Sequence, residues 1–442
     1  MKRKDISMKQ HHHNINNNLK QLTKKSLIIG VDISKAFHVA RAVDYRGMEL
    51  ARTFSFTSNS KGFRDFHDFI RKISTAYDKA DVIVGLEPTG PYGDTFIQFL
   101  SSKDIRVVLV LGSTVSKAKE LDDNTPSKND YKDALLIAGL VRDGRFLTHR
   151  EFSPLVHELK EAMGYSYQLT KNSTRIKCQI DNWLCKYFPE FSFVFKDWTK
   201  KTAYATLSVF PMPKMIIGRT EESIVKTWRE QGVIKGVGLK KAHMLKFYAK
   251  RSTGLKYAQE AAEMHIRALI DQYEQTLIQQ EEVWLLIENI VKDVPLYETI
   301  CQIPGMGKKA ACGIVAEIGD ITVFSHPRQL IRLAGLSLKE SSSGGRRGTS
   351  EITRRGRPLL RHYLYIAVLG IIKTKDNPFW DMHQYHTKYK QFPLRPMQSV
   401  VALMCKLLRI IYGMSKSGKP YDPALVTAGI TGMAGFIDME DF

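Results

Sequence analysis

Apolar residues in the first 150 positions follow strand-like and helix-like periods in alternation. Three runs rich in β-branched and aromatic residues predict strands: LIIGVDI from Leu27, FHVARAV from Phe37 and ELARTFSF from Glu49. A helix with phenylalanines at helical spacing follows, then strand DVIVGLE, helix DTFIQFL, strand IRVVLVL and a helix over residues 129–141. Three antiparallel strands followed by alternating helix and strand are the element order of the RNase H-like α/β fold.

Four acidic residues fall at the ends of these predicted elements. Asp32 and Glu87 each close an apolar strand-like run, while Asp130 and Asp133 lie three residues apart at the start of a helix and share a face. Carboxylates gathered at neighbouring strand ends and one helix face can hold two Mg²⁺ ions about 4 Å apart for phosphodiester chemistry. Any one acid alone is better explained as a strand end or a helix cap, but the four in this order favour a catalytic metal site.

The middle of the chain predicts two long helices. The first, over residues 151–195, is basic, and Lys171, Arg175 and Lys177 are its candidate nucleic-acid contacts. The second, over residues 257–294, carries a heptad pattern typical of a coiled coil. Its predicted contact positions are Ile266, Ile270, Tyr273, Leu277, Gln280, Trp284, Ile287 and Val291. The partner is either the first helix folded back or the same helix of a second subunit, and an antiparallel hairpin that also dimerises is favoured.

A mainly helical domain is predicted after Pro295. The segment IPGMGKKAACGIVAEIGD places Gly305, Gly307 and Lys308 in a turn between two helices, as in a helix-hairpin-helix motif. The exposed backbone N–H groups of such a turn can hold a phosphate, although a plain tight turn is the alternative. Phe379 and Trp380 are expected to pack in the core rather than to stack on bases.

A Ser/Gly loop surrounded by arginines lies inside this domain. Ser341, Ser342 and Ser343 precede Gly344 and Gly345. The surrounding arginines are Arg346, Arg347, Arg354, Arg355, Arg357 and Arg361. Guanidinium groups bind phosphate bidentately, so the pattern predicts a flexible phosphodiester-binding loop with a serine as nucleophile toward phosphorus. The alternative, a disordered linker with solvated charges, is weakened by the apolar helices predicted on both sides.

The net charge of +21, from 66 basic and 45 acidic residues, favours a polyanionic partner, most often nucleic acid. No membrane partner is expected, because the longest apolar run, around Tyr363–Ile372, is too short to span a bilayer and the N-terminus carries no secretory segment. Five cysteines without metal-ligand spacing predict reduced, mostly buried thiols, with neither zinc nor a disulfide.

These patterns divide the chain into five parts. Residues 1–26 are predicted to be a disordered basic tail, 27–150 the α/β domain, 151–295 a helical coiled-coil and dimerisation region, 296–414 the domain with the serine, and 415–442 a loose tail. Residues 200–256 show no pattern from which a fold can be predicted.

The motifs together resemble the DEDD transposases of bacterial insertion sequences, the insertion-sequence one-ten family, over roughly residues 27–412. GVDISK, LEPTGPYG and NDYKDA resemble the acidic motifs of the family and point to Asp32, Glu87, Asp130 and Asp133. IPGMGKKAA, AGL and SSG resemble its transposase domain, in which the serine before the glycine is Ser343. The family often has proline two residues after AGL, where this chain has Leu338, so Ser342 and Ser341 stay open.

The resemblance implies a RuvC-like domain, a coiled-coil linker and a transposase domain with a catalytic serine. It further implies a recombinase that cuts and rejoins donor and target DNA with Mg²⁺ under the guidance of a structured non-coding bridge RNA. The acids of one subunit would meet the serine of another in a dimer or tetramer, through a phosphoserine link and a Holliday junction. Residues 151–195 and the basic face of the RuvC-like domain are the expected RNA-binding surface. The expected location is the bacterial cytoplasm, at the nucleoid during action.

Two other functions fit parts of the pattern. A RuvC-like junction or structure-specific endonuclease would use the acids and water without a covalent intermediate, but it has no need of a serine ringed by arginines. A non-catalytic RNA- or DNA-binding protein would have no need of four acids in this order.

Overall fold

The computed structural model describes residues 15–88, 90–122, 130–149, 152–339, 342–343, 346–347, 351–375 and 377–427. The chain forms two compact units, Met1–Glu151 and Phe152–Phe442. The first unit is built on a mixed sheet and the second is mainly helical, which agrees with the predicted fold class at that level.

A six-stranded mixed sheet forms the centre of the first unit. Its strands are β1 Ser26–Ile33, β2 Phe37–Val43, β3 Phe54–Thr57, β4 Asp81–Leu86, β5 Arg106–Leu109 and β6 Leu147–Thr148. The spatial order is β3-β2-β1-β4-β5-β6, in which β1, β4 and β5 are parallel and the other pairings are antiparallel. The predicted third strand is shorter than expected, because residues 49–53 contribute only a bridge between Val43 and Glu49.

Helices cover both faces of this sheet. They are residues 15–19 (α1), α2 Ser60–Ala76, α3 Asp94–Ser101, α4 Gly112–Asp122 and α5 Asp130–Arg142. Since side chains alternate along a strand, Leu27, Ile29 and Val31 of β1 pack with the phenylalanines of α2 and α3, whereas Ile28 packs with α5 on the opposite face. Helix α4 was not predicted from the sequence.

The prediction that residues 1–26 form a disordered tail is wrong for residues 15–26. Residues 15–19 are helical, and the Asn18 side chain donates hydrogen bonds to the carbonyl oxygens of Gly144 at 2.8 Å and Phe146 at 3.1 Å. Ser26 already belongs to β1. The polar composition misled the prediction, since Asn18 gains its partners only from residues more than a hundred positions later. Residues 1–14 lie outside the described part of the chain.

The second unit contains two long antiparallel helices, α6 Pro154–Tyr187 and α12 Gln259–Val291. The α6 helix begins where the Ser153 hydroxyl accepts a hydrogen bond from the Val156 N–H and Pro154 occupies the first turn. The Trp183 indole near its end donates to the Ala262 carbonyl near the start of α12, at 3.0 Å. The partner of the second long helix is therefore the first, folded back within one chain.

The predicted contact positions of α12 are confirmed in part: Ile266, Ile270, Tyr273, Ile287 and Val291 are buried, and Gln280 and Trp284 are half-buried. The buried face also includes residues that were not predicted as contact positions, namely Ala262, Leu269, Thr276, Val283 and Ile290. Leu277 was expected inside and is 37% exposed, while Thr276 is 7% exposed. The Thr276 hydroxyl can be buried because it donates to the Gln272 carbonyl of its own helix, at 2.7 Å.

Two hydrophobic cores flank this helix pair. One contains the end of α6, the start of α12 and the helices of residues 191–250. The single helix predicted over residues 151–195 therefore ends early, at Tyr187, and no fold was predicted for residues 200–256. Those helices are α7 Phe191–Val194, α8 Lys201–Val209, α9 Pro213–Ile217, α10 Glu221–Glu230 and α11 Leu239–Lys250. Trp228 lies fully buried at its centre, with the indole N–H donating to the Thr206 hydroxyl at 2.8 Å.

The other core contains the start of α6, the end of α12 and the helices that follow. These are α13 Pro295–Cys301, α14 Lys308–Ile318, α15 Pro327–Leu333, α16 Pro358–Ile371, α17 Pro378–Gln384, α18 Pro396–Ser417 and α19 Ala424–Thr427. Short strands β7 Leu338–Lys339, β8 Ser342–Ser343, β9 Arg346–Arg347 and β10 Glu351–Ile352 lie between α15 and α16. Phe379 is fully buried, as predicted.

Two sequence expectations about apolar residues need correction. By length and composition α18 could cross a membrane, whereas the sequence analysis expected no segment to be long and apolar enough. Its buried residues, among them Leu403 and Leu407, belong to the core of the second unit. The cysteines are free thiols, but Cys178, Cys185 and Cys301 are exposed rather than buried.

Candidate functional site

Asp32 and Glu87 lie side by side at the carboxyl ends of two parallel strands. Val31 of β1 is in register with Leu86 of β4, so the next residue of each chain segment is an acid. Both acids are half-buried. The carboxyl edge of parallel strands is where α/β proteins place their ligands and reacting groups.

A glycine two residues before each acid brings α5 onto the same face. Gly30 and Gly85 are in register, and a Cβ at Gly30 would collide with the backbone of Ala134 in α5. A Cβ at Gly85 would collide with the Val141 side chain of the same helix. Because alternate residues of a strand share a face, Asp32 and Glu87 point toward the face that α5 covers. The repeated glycine-any-acid pattern was a signal for this site that the sequence analysis missed.

The amino end of α5 brings the other two acids to this edge. Asp130 and Asp133 open α5, and Ala134 one position later rests on Gly30, two residues before Asp32. The Asp133 carboxylate is 14% exposed and lies 2.6 Å from the Lys119 ammonium of α4. The side chain of Asp130 lies outside the described part of the chain.

Helix α4 adds two further residues that the sequence analysis missed. Lys119 pairs with Asp133, and Gly112, the first residue of α4, lies against the Glu87 carboxylate so closely that a Cβ would meet Glu87 Oε1. A helix amino end favours a nearby negative charge. No sequence signal marks Lys119, because it is one of two lysines in a weakly amphipathic helix.

The chemistry of the acids fits a hard divalent cation, since carboxylate oxygens are the ligands that Mg²⁺ prefers. Among the described side chains no three acidic, histidine or cysteine groups are close enough to hold a metal ion. Asp32, Glu87 and Asp133 nevertheless carry the oxygen ligands that such an ion needs, and they belong to elements that share one face of the sheet. An ion bound at Asp133 would have to displace Lys119 from that carboxylate.

The predicted serine lies on a β-hairpin in the second unit. Strand β7 pairs antiparallel with β10. The strands between them in sequence, β8 and β9, also pair antiparallel, with Ser342 in register with Arg347 and Ser343 with Arg346. The expectation of a flexible loop is therefore wrong for residues 342–343 and 346–347, because backbone pairing orders them. The side chains of Ser343, Arg346 and Arg347, and residues 344–345 as a whole, lie outside the described part, as does Ser341.

The predicted phosphate-binding arginines have different surroundings. Arg354 and Arg355 are exposed. Arg357 donates to the Glu317 carbonyl and lies 3.9 Å from the Glu317 carboxylate, with its side chain 29% exposed. Burial lowers the pKa of Arg357 and raises that of Glu317, while their mutual attraction opposes both shifts. Arg357 is thus engaged in the core, unlike its neighbours.

The glycine turn before α14 lies beside the basic face of α6. Gly305 has a φ of 80° and packs against Ile371 of α16, so a side chain there would be strained. Gly307 has open space around it and caps α14 without a side-chain hydrogen bond. Lys308, the next residue, lies 3.8 Å from the Glu288 carboxylate.

Lysines of α14 and α6 form one basic cluster. The Lys309 ammonium donates to the Thr170 hydroxyl of α6 at 3.2 Å. Burial and the charges of Lys309 and Lys171 lower the pKa of His362. Lys171 and Lys177 lie over tyrosine rings, with ammonium-to-centroid distances of 4.8 Å and 5.6 Å, and Arg175 is exposed. Lys309, which was not among the predicted contacts, therefore lies near the predicted contact Lys171 in the second unit.

A strongly basic chain that carries carboxylates at the ends of parallel strands and arginines on a hairpin has the features of a nucleic-acid-processing protein. Residues 29–189 match a family model described as Transposase, of the DEDD type, and residues 297–385 match one described as Transposase IS116/IS110/IS902 family. The two models together match more than half of the chain. The chain belongs to the IS110 family of transposases.

Individual relatives agree with this assignment. The pilin gene-inverting protein of Moraxella bovis is 25% identical over 170 residues, 37% of this chain and 52% of that protein. The transposase for insertion sequence element IS1111A of Coxiella burnetii is 30% identical over 105 residues, 23% of this chain and 29% of that protein. The aligned part of the chain thus spans about half the length of the pilin gene-inverting protein, and less of the other.

Proposed function

We propose that the protein is a DNA transposase that cuts and rejoins donor and target DNA. The observation that carries the proposal is the register of Asp32 and Glu87, side by side on the face covered by α5, in the region matched by the first transposase model. The names of the relatives, a gene-inverting protein and a transposase, support rearrangement of DNA as the outcome. The strand order from β3 to β5 supports the RNase H-like assignment of the first unit.

Asp32, Glu87, Asp130 and Asp133 are proposed to hold Mg²⁺, with two ions expected. The bound cation would supply Lewis acidity toward the phosphodiester oxygens. Within the chain, the close contact of α5 with Gly30 fixes the helix that carries Asp130 and Asp133. Lys119 would neutralise Asp133 in the absence of metal, which limits repulsion among the carboxylates.

Ser343 is proposed to be the nucleophile. Its hydroxyl oxygen would form a bond to phosphorus while the bond from phosphorus to one DNA oxygen breaks, and the proton of the serine would pass to that leaving oxygen through solvent. Arg346 and Arg347, the register partners of the serines, would stabilise charge on the phosphoryl oxygens. The acids and the serine belong to different units of the chain, so we expect the reaction to need both units, from one subunit or two, on the same DNA.

A structured non-coding RNA is proposed as the guide, as the family resemblance implies. Lys171 and Lys309, which lie close together, and the further basic residues Arg175 and Lys177 of α6 support a polyanion-binding role for this part of the second unit. Base pairing would then supply sequence specificity while the protein binds backbone and shape. A homo-oligomer, dimer or tetramer, acting in the cytoplasm completes the proposal.

Incubation of the full chain with labelled DNA, Mg²⁺ and the RNA encoded beside the gene tests this function. The expected result is strand transfer together with a protein–DNA adduct that survives denaturation. Cleavage without any adduct would indicate the endonuclease instead. Binding without cleavage under all metal conditions would indicate a non-catalytic binding protein.

A further inference from the structure

The segment between α17 and α18 exposes large side chains that the transposase function does not explain. It begins with a π-helical turn, Tyr385–Tyr389, a feature that is common at functional sites. Phe392 is 76% exposed, Met397 56% and Tyr389 55%, whereas Phe379 in α17 is fully buried. The segment begins where the second family-model match ends, at residue 385.

The charge around these side chains has one sign. Lys388, Lys390 and Arg395 are all exposed and alternate with the apolar residues. From Met382 to Tyr421 the sequence contains seven lysines and arginines and no aspartate or glutamate. Positive side chains interleaved with exposed aromatic rings are the composition of surfaces that bind unpaired nucleic acid, on which phosphates meet cations and bases stack on rings.

Buried hydrogen bonds hold the backbone of this segment. The fully buried Ser399 hydroxyl lies 2.9 Å from His383 Nδ1 and 3.3 Å from His386 Nδ1, so it can donate to one ring and accept from the other. The Leu394 N–H donates to the His386 carbonyl at 2.8 Å, and the Lys390 N–H donates to the Tyr385 carbonyl at 2.9 Å.

Proline adds to this constraint. Pro393 follows Phe392 directly, and Pro396 occupies the first turn of α18. Proline fixes its own φ, and the residue before it is restricted as well. The exposed side chains are therefore presented by an ordered backbone, which lowers the entropy lost on binding.

We propose that the segment Lys388–Met397 binds an unpaired stretch of DNA, with Phe392 stacked on a base and Lys388, Lys390 and Arg395 on backbone phosphates. Unpaired DNA is required because the faces of bases in a duplex are covered by their neighbours. DNA is favoured over RNA because the segment directly continues the region matched by the second transposase model. The inference rests on the proposed function and names the kind of DNA that this surface holds.

Binding of the full chain to three fluorescent probes tests the inference: a paired DNA duplex, the same duplex with a central bubble containing 2-aminopurine, and an RNA duplex with the same bubble. Phe392→Ala should weaken binding to bubbled DNA about 5- to 100-fold and remove the fluorescence change of stacked 2-aminopurine. Affinity for the paired duplex should change less than about twofold. Tyr257→Ala, which truncates a ring that is 67% exposed elsewhere in the unit, is the matched control.

The charges are tested by salt dependence. Replacing Lys388, Lys390 and Arg395 together with glutamine should lower the slope of log affinity against log salt for bubbled DNA by about 2, since each contact to a single strand contributes about 0.7. Glutamine at the exposed Lys373, Lys375 and Lys419 is the control and should change the slope less.

Several outcomes would overturn the inference. Wild-type affinity for bubbled DNA in the Phe392→Ala protein would do so, as would a loss confined to the RNA probe. If the wild type transfers strands and either of these results is obtained, the proposed binding surface is refuted but the transposase function is not. If binding to bubbled DNA depends on Phe392 but the protein never cleaves DNA, the binding surface is supported and the transposase function is refuted. No DNA binding by the wild type refutes both.

Discussion

The acid-bearing sheet edge of the first unit and the serine-bearing hairpin of the second present their residues in different ways. Asp32 lies near the end of the eight-residue strand β1, and Glu87 directly follows the six-residue strand β4; both strands are buried between helices on both faces. Ser343 lies in the two-residue strand β8, which pairs with the two-residue strand β9. The acids are held by backbone packed in a core, while the serine depends on a few backbone hydrogen bonds.

This difference separates the consequences of substitution. At the sheet edge a side chain can be changed without disturbing the strands, since the packing of β1 comes from its neighbours Leu27, Ile29 and Val31. A hairpin of two-residue strands is close to the marginal stability of isolated hairpins, so DNA is expected to order it further. The acids should therefore behave as fixed groups and the serine as one positioned on binding.

The largest expected effect is the loss of activity in Asp32→Asn. Removing one charged ligand should lower strand transfer about a thousandfold or more, while the melting temperature stays within a few degrees because the buried neighbours remain. Rates of strand transfer and thermal melting measure the two properties. Asp68→Asn, at an exposed position of α2, is the control and should keep full activity. Full activity of Asp32→Asn would refute the acid site.

Ser343→Ala should abolish the covalent adduct and keep DNA and RNA binding, since the hydroxyl alone is removed. Ser342→Ala, one position away on the same strand, should keep the adduct. Denaturing gels with labelled DNA, followed by peptide mapping of the linked residue, distinguish the two variants. An adduct that maps to Ser342 or Ser341 would move the nucleophile within the loop.

Arg357 and Arg355 should separate stability from DNA binding. Arg357→Gln removes the guanidinium that pairs with the buried Glu317 and should destabilise the second unit by about 3 kcal/mol. Arg355→Gln, at an exposed position, should leave the stability within about 0.5 kcal/mol and weaken DNA binding. Chemical denaturation and binding titrations of both variants provide the measurement. Equal stability of the two would contradict the buried role of Arg357.

His38 should make the first unit sensitive to acid. It is fully buried among phenylalanines beside the strand end that carries Asp32, and burial lowers its pKa from 6.5 to about 4. Between pH 6.5 and 4, His38 is therefore protonated in the unfolded chain but neutral in the folded chain. The free energy of unfolding consequently falls as the pH falls through this window. At pH 5 the loss relative to pH 7.5 should be about 2 kcal/mol.

Denaturant titrations of the wild type and of His38→Phe, across this pH range, measure the effect. The phenylalanine variant should lack the acid-dependent part of the loss, because the ring that takes up the proton is gone. A loss of stability with the same size and pH midpoint in both proteins would assign the acid sensitivity to other groups.

Several features could be predicted from the sequence because they depend on local periods. The apolar, β-branched runs LIIGVDI and DVIVGLE predict strands that end at Asp32 and Glu87, and the observed strands end within one residue of these acids, at Ile33 and Leu86. The long helices α6 and α12 follow from their apolar stripes. The match to the transposase family confirms the recognition based on the acidic motifs and the glycine turn. The roles of Ser343 and of the metal ligands remain predictions.

What the sequence determined by itself is the set of elements and their chemistry: strand ends with acids, a basic helix, a glycine turn and a serine segment among arginines. The tertiary structure alone decided which residues meet. It paired Lys119 with Asp133, partly buried Arg357 against Glu317, and placed Lys309 beside Thr170 of α6. Local patterns arise from the geometry of one helix or strand, whereas these contacts arise where elements distant in sequence pack, and one sequence holds no local record of that packing.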